Sequence, residues 1–197
     1  MWDERYDTDE YIYGTEPNDF LREQAGRIGE PPRQVLCLAD GEGRNGVYLA
    51  ALGHRVLSVD ASTVGLRKAA RLAERKGVTL ETLLADLTTH TFPAEAFDAV
   101  VSIFCHVPAA GRPHLHRQVA RTLKPGGILI LEAYTPAQAP RDTGGPPDAD
   151  RTPTAAELEA AFADFEILSS REFDRQVVEG RGHSGLGAVV QFLARKR

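Results

Sequence analysis

VLCLADGEGRNG, residues 35–46, followed by RVLSVD, residues 55–60, decides the fold. Val35 to Ala39 form a short apolar run closed by Asp40 and Gly41, the pattern of a central strand buried on both faces. Gly41 and Gly43 let the backbone turn sharply and approach a ligand that a side chain would hold away. Val47, Ala50 and Ala51 recur at helical spacing until Gly53 ends the helix, and Val56, Leu57 and Val59 form the next strand. Asp60 therefore stands at a carboxyl strand end, where a carboxylate accepts hydrogen bonds from both hydroxyls of an adenosine ribose. Strand, glycine loop, helix, strand and acid in this order open a nucleotide-cofactor site.

The glycines alone leave the cofactor undecided. Gly41-Glu-Gly43-Arg-Asn-Gly46 satisfies G-x-G-x-x-G, so a nicotinamide or flavin nucleotide competes, and a tight turn without a ligand uses the same residues. Further segments narrow the choice. TLETLLAD, residues 79–86, reads as a third strand ending in a second acid, and AFDAVVSIF, residues 96–104, as a fourth; LKPGG, residues 123–127, leads into ILILEA, residues 128–133. Together they resemble the class I S-adenosylmethionine-dependent methyltransferases, in which a glycine loop, a ribose acid, an adenine-side acid, an FDxVV strand and an LKPGG turn follow one another in this order. GEGRNGVYLA and the amino-terminal WDERY…YIYGTEPNDFL are similar to the tellurite-resistance and thiopurine-methyltransferase-like branch, which acts on small soft nucleophiles. The general motifs span residues 33–135; the branch likeness adds the first 21 residues and LARK near the end.

The resemblance implies an α/β fold: a Rossmann-like, doubly wound, seven-stranded sheet, mostly parallel with an antiparallel last strand and helices on both faces. It implies S-adenosylmethionine as cofactor, held by Tyr13, Ala39, Gly41, Gly43, Arg44, Asp60, Ala61, Asp86, Leu87 and Phe104. Arg44, opening the first helix, is placed to meet the cofactor carboxylate or the substrate. Tyr11 and Tyr13 are candidates for an aromatic lid favouring a sulfonium, or else anchors of their segment. Two positions depart from the family. Cys37 stands where it usually has an acid, and Ala39 replaces its first glycine; Asp40 offers a charge, but three residues along a strand it need not point the same way.

Composition fits one domain, residues 1–197, with residues 1–30 as an amino-terminal cap segment; a chain of this length buries roughly 70% of its unfolded surface. Lys and Arg number 23 against 28 Asp and Glu with no long basic cluster, which argues against a nucleic-acid partner. No basic start with an apolar stretch and no bilayer-length segment is present, so no membrane partner and a cytoplasmic location are expected. The expected partner is a small-molecule substrate, and the expected state a monomer or homodimer. Cys37 and Cys105 read as small core residues.

Strands and helices alternate without a repeat. PNDFLREQAGRI, residues 17–28, predicts a helix ended by Pro31 and Pro32. Ser62 caps the next one, with Leu66, Ala69, Ala70 and Ala73 on its apolar face and Arg67, Lys68, Arg71 and Glu74 in water. Leu115, Val119 and Leu123 supply a buried stripe, and Thr154 with Glu157 forms a capping box. FEIL, residues 165–168, precedes the last strand, GAVVQFLA, residues 187–194. Pro136 to Pro153 is irregular, either a flap over the substrate or a solvated connection.

A metal site is not expected: His114 and His116, near Cys105 and His106, are two apart on a helix and diverge around its axis. Attack on a sulfonium methyl needs alignment more than a base. For a neutral nucleophile, His106 and His183 are the candidate bases. Arg181, alternating with glycines in EGRGHSG, residues 179–185, is the candidate to neutralise an incoming anion, although a solvated hairpin tip has the same content. The reading is thus a methyltransferase acting on a small molecule, such as a thiol or tellurite. A nicotinamide-dependent oxidoreductase and a non-catalytic S-adenosylmethionine-binding module are the alternatives.

Overall fold

The computed structural model describes residues 2–197. Seven strands form one sheet: β1 Gln34–Leu38, β2 Arg55–Asp60, β3 Glu81–Leu84, β4 Phe97–Ile103, β5 Leu123–Tyr134, β6 Phe165–Glu179 and β7 His183–Lys196. Their spatial order is β3-β2-β1-β4-β5-β7-β6. All neighbours pair parallel except β7, which runs antiparallel to both β5 and β6. The order reverses between β1 and β4, which opens a crevice beyond their carboxyl ends, the place where such sheets bind ligands.

Alternation along the strands divides the core in two. Leu36, Leu38, Val100 and Leu129 face one way and pack with Leu115, Leu158 and Phe162 from α5 (Arg112–Thr122), α6 (Ala155–Ala161) and the residue after it. Val35, Cys37, Val101 and Ile130 face the other way and pack with Leu21 from α2 (Asp19–Gln24) and Leu49 from α3 (Arg44–Ala51). Cys37 is thus an apolar core side chain, and burial pushes its thiol well above the usual range. The remaining helices are α1 (Trp2–Tyr6) and α4 (Thr63–Lys76), which lie side by side. Ser62 caps α4 by accepting from the Gly65 N–H, and Thr154 and Glu157 form the capping box of α6.

Three expectations change. The helix expected over residues 17–28 is α-helical only over Asp19–Gln24 and tightens to 3₁₀ over Ala25–Ile28. β6 and β7 extend far beyond FEIL and GAVVQFLA, reducing the expected turn at 179–185 to residues 180–182. The outer half of β6, REFDRQVVE, turns Arg175 and Glu179 into a buried polar cluster and leaves Arg171, Glu172 and Asp174 exposed, so the apolar period that marks a strand is absent there. On α4, Lys68, expected in water, is buried, and Ala70, expected on the apolar face, is exposed while Leu72 is buried in its stead. No helix among the described residues is long and apolar enough to cross a membrane.

Candidate active site

Beyond Leu38 the backbone enters the left-handed region, with φ of 48° at Ala39, 56° at Gly41 and 88° at Gly43. For Ala39 this conformation is strained, and its neighbours hold it there. The Gly41 N–H donates to Asp60 Oδ2 at 2.9 Å and the Ser62 N–H to Asp60 Oδ1 at 2.8 Å, tying the loop to the end of β2. The Asp40 carboxylate folds beneath the loop, accepting from the Ser58 hydroxyl at 2.7 Å and the Gly46 N–H at 3.2 Å. Burial raises its pKa to about 6 against the pull of those donors. A Cβ on Gly43 would lie 2.5 Å from that of Ala69, so Gly43 serves close packing on α4.

A cleft of about 560 Å³ opens over this loop. Ala39, Gly41, Arg44 and Asp60 line its floor; Ala61, Asp86 and Leu87 continue along the ends of β2 and β3; Tyr13, Phe104, His106 and His183 close the far end. Gly43 and Arg181, both expected here, do not line it. Asp60 is 6% exposed, and burial raises its pKa although the Ser62 and Gly41 N–H groups pull it down. Each of its oxygens retains acceptor capacity beyond its one backbone donor. Arg44 Nη2 pairs with Glu179, while its Nη1 is buried with no hydrogen-bond partner. An acid at the end of β2, an unmatched guanidinium nitrogen and a turn at Gly41 that brings bare backbone to the cleft fit an adenosyl group with an amino-acid tail.

The roof comes from the amino-terminal segment. Trp2, Arg5 and Tyr6 line the cleft with Tyr13, and the Arg5 guanidinium lies 5.5 Å from the ring centroids of both Trp2 and Tyr13. Trp2, Arg5 and Tyr6 escaped sequence reasoning; the WDERY likeness was the signal that covered them. One buried lysine fastens this roof. Lys68 Nζ donates to the carbonyls of Tyr6, Thr8 and Glu10 at 3.2, 2.9 and 2.6 Å and lies 2.5 Å from Glu42 Oε1. Glu42 Oε2 in turn accepts from the Tyr13 N–H at 3.3 Å. Tyr11 does not join the lid: its hydroxyl donates to the Lys68 carbonyl at 2.9 Å and its ring meets Arg75. The roof also meets the β6–β7 tip, where the Gly182 N–H donates to the Ile12 carbonyl at 3.0 Å.

His183, the first residue of β7, sits among rings, with centroids 4.5 Å from Tyr13 and 4.6 Å from Phe104. Phe104 is itself at φ 51°. Burial lowers the His183 pKa against the pull of Glu179, so the imidazole is neutral at pH 7. Its Nδ1 has no hydrogen-bond partner and lies 4.0 Å from Glu179 Oε2. Glu179 belongs to a buried network in which Asn18 Nδ2 donates to Glu179 at 2.7 Å and to Glu132 at 2.9 Å, and Arg175 bridges both carboxylates. Burial would raise Glu179, but His183, Arg44 and Arg175 hold it down to about 2. His106 is also neutral, lowered by burial to about 3, and its Nε2 accepts the Tyr134 N–H at 3.2 Å. Arg181 at the hairpin tip points outward: its side chain is 65% exposed and pairs with Glu10 at 3.1 Å.

The segment from Pro136 to Pro153 is hydrogen-bonded. Gln138 donates to Thr143 Oγ1 and the Gly144 carbonyl and accepts from the Ala188 N–H, and Gly145, Pro146, Pro147, Asp148 and Arg151 line the cleft. Elsewhere, His114 Nε2 meets the His90 carbonyl at 2.8 Å and His116 packs on Phe162.

Residues 35–127 match the family described as a methyltransferase domain. Over 104 residues the chain is 35% identical to the uncharacterized methyltransferase YbaJ of Bacillus subtilis, covering 52% of this chain and 41% of that protein. It is 25% identical over 149 residues to the 2-heptyl-1-hydroxyquinolin-4(1H)-one methyltransferase of Mycobacteroides abscessus, covering 68% and 66% of the two chains. The chain thus spans about two-fifths to two-thirds of the length of these relatives. The crystal structure of TehB from Haemophilus influenzae superposes with a TM-score of 0.72 at 22% identity, covering 100% of this chain and 66% of that one, a likeness of fold.

Proposed function

Because residues 35–127 match a methyltransferase domain, we propose that the chain transfers the methyl group of S-adenosylmethionine to a small-molecule nucleophile held beside Phe104, Tyr13 and His183. The observation that carries this reading is one cleft on which the glycine loop, Asp60 and His183 all open. When bound, the cofactor supplies a methyl carbon made electrophilic by its sulfonium. The residues of the chain do the rest. Asp60 receives the ribose hydroxyls, Asp86 stands at the adenine end, and Arg44 Nη1 is free for the carboxylate. The roof of Trp2, Tyr6 and Tyr13 excludes water. Holding the nucleophile in line accounts for about 7–11 kcal/mol in well-oriented reactions.

An ionised acceptor needs no base. For a protonated one, neutral His183 accepts the proton; His106 is less suited because its Nε2 is occupied by the Tyr134 N–H. The acceptor is a soft nucleophile, a thiol or a chalcogen oxyanion such as tellurite. The resemblance of GEGRNGVYLA and of WDERY…YIYGTEPNDFL to the tellurite-resistance branch supports it.

Titration calorimetry with S-adenosylmethionine, S-adenosylhomocysteine and NADH tests the cofactor. Binding of the first two alone is expected, and Asp60→Asn weakens it by about 1.5–3 kcal/mol. Unchanged affinity in a folded Asp60→Asn protein counts against the assignment. Release of S-adenosylhomocysteine with thiols or tellurite separates an enzyme from a binding module.

A further inference from the structure

We propose that Glu179 positions His183 as a proton acceptor only once the cofactor site is filled, the link being Arg44, which shares one carboxylate oxygen of Glu179 with the imidazole. This deepens the methyl-transfer reading and rests on it. Glu179 closes β6, His183 opens β7, and the two face each other across the hairpin. Glu179 Oε1 is filled by Asn18 Nδ2 at 2.7 Å and Arg175 Nη2 at 3.0 Å. Oε2 accepts from Arg44 Nη2, and His183 Nδ1 stands 4.0 Å from the same oxygen, just outside hydrogen-bond reach. A carboxylate oxygen accepts two donors, so Oε2 has a place for the second.

On either side of that oxygen lies a buried nitrogen with no hydrogen-bond partner, Arg44 Nη1 and His183 Nδ1. Orphaned buried donors are costly, and one event satisfies both. Arg44 lines the cleft, and its Nη1 is the donor for the cofactor carboxylate. A guanidinium divided between two carboxylates holds the first less tightly, which leaves Glu179 Oε2 to accept the His183 Nδ1–H. With its proton fixed on Nδ1, the imidazole keeps a bare Nε2 for the acceptor.

The ring has little freedom of its own. A Cβ on Gly182 would lie 2.4 Å from Tyr13 Cε1 and one on Gly180 would lie 2.4 Å from the Gly14 nitrogen, so the hairpin tip is packed on the roof. Tyr13, Phe104 and Tyr134 enclose the imidazole. The adjustment therefore falls to the side chains of Glu179 and Arg44. Burial and the charges of Arg44 and Arg5 keep His183 neutral against the pull of Glu179. His106 beside it is neutral as well, and Tyr13 and Tyr134 are neutral phenols because burial raises both.

In the transfer the S–H or O–H proton of the acceptor passes to His183 Nε2, and the electron pair it leaves behind forms the bond to the methyl carbon. The pair of the broken carbon–sulfonium bond stays on the departing sulfur. Glu179 neutralises the imidazolium that results.

The test follows the imidazoles of the ¹⁵N-histidine-labelled full chain by NMR, with the His183 signals assigned by their loss in His183→Gln. Three states are compared: free, saturated with S-adenosylhomocysteine, and saturated with 5′-methylthioadenosine, which keeps the adenosine but lacks the amino-acid tail. S-adenosylhomocysteine should fix the Nδ1–H tautomer of His183 at pH 7 and raise its titration midpoint by about one pH unit or more. 5′-Methylthioadenosine should do neither, and in Glu179→Gln S-adenosylhomocysteine should cause no rise. An equal response to the two ligands, no response to S-adenosylhomocysteine, or a rise that survives in Glu179→Gln overturns the proposal. Should Glu179→Gln not fold, the wild-type tautomer decides, and an Nε2–H imidazole in the S-adenosylhomocysteine complex overturns it. Failure to bind S-adenosylhomocysteine at all overturns instead the methyl-transfer reading beneath it.

Discussion

His183 and Arg181 are two residues apart and have opposite surroundings. The first is enclosed by Tyr13, Phe104 and Tyr134; the second projects from the hairpin tip toward Glu10. His183→Ala should lower kcat roughly 100-fold for an acceptor that is still protonated, with cofactor affinity near wild type. The deficit should shrink as rising pH ionises the acceptor without help, which a pH–rate profile reads directly. Arg181→Ala should leave turnover where it was. Sequence separated neither residue from the other, because each follows a glycine and only the roof, some 170 positions away, selects which one is enclosed. The acids of the loop were legible for the opposite reason: Asp60 follows from its place at a strand end. Cys37 also resolves at this scale. It points into the apolar layer with Leu21 and Leu49, while Asp40 carries the carboxylate beneath the loop.

Among the elements, α4 does two jobs with one stripe of side chains. Leu66, Ala69, Leu72 and Ala73 bury against the body of the protein, and Lys68 reaches into the turns of the amino-terminal segment. Hydropathy at helical spacing identified Leu66, Ala69 and Ala73 but took exposed Ala70 for Leu72, and it assigned Lys68 to water, since the carbonyls that receive its ammonium lie about 60 residues upstream. Lys68→Met leaves Glu42 buried without its cation and should cost roughly 3–5 kcal/mol, measured by urea unfolding. The double variant Lys68→Met with Glu42→Gln should recover part of the loss, because no uncompensated charge remains. β6 and β7 were half legible for a similar reason. Their inner ends alternate or run apolar against α6 and β5, whereas their outer ends face Glu132, Glu179 and Arg175, and a strand built around buried charge has no hydropathic signature.

For the whole molecule, buried titratable groups set the pH range of stability. His106 and His116 are lowered by burial to about 3 and about 4 from 6.5. Unfolding below pH 6.5 therefore takes up protons, and the stability these residues lend, complete above 6.5, is lost as pH falls toward 3. Asp40 acts in the other sense: raised from 3.8 to about 6, its contribution is complete below pH 3.8 and is lost as pH rises through 6. Two imidazoles outweigh one carboxylate, so the urea midpoint should fall between pH 7 and pH 4.5, and His116→Phe, which keeps a ring against Phe162, should flatten the fall. The hydrogen bond between Gly182 and Ile12 has a further consequence in time. On a ribosome the glycine loop and Lys68 emerge early, but the amino-terminal segment above them lacks its last partner until residues 180–182 have been synthesised. Until then the groove also lacks its His183 wall, and the moment of functional competence is set by the arrival of the final hairpin rather than by the folding of β1 and α3.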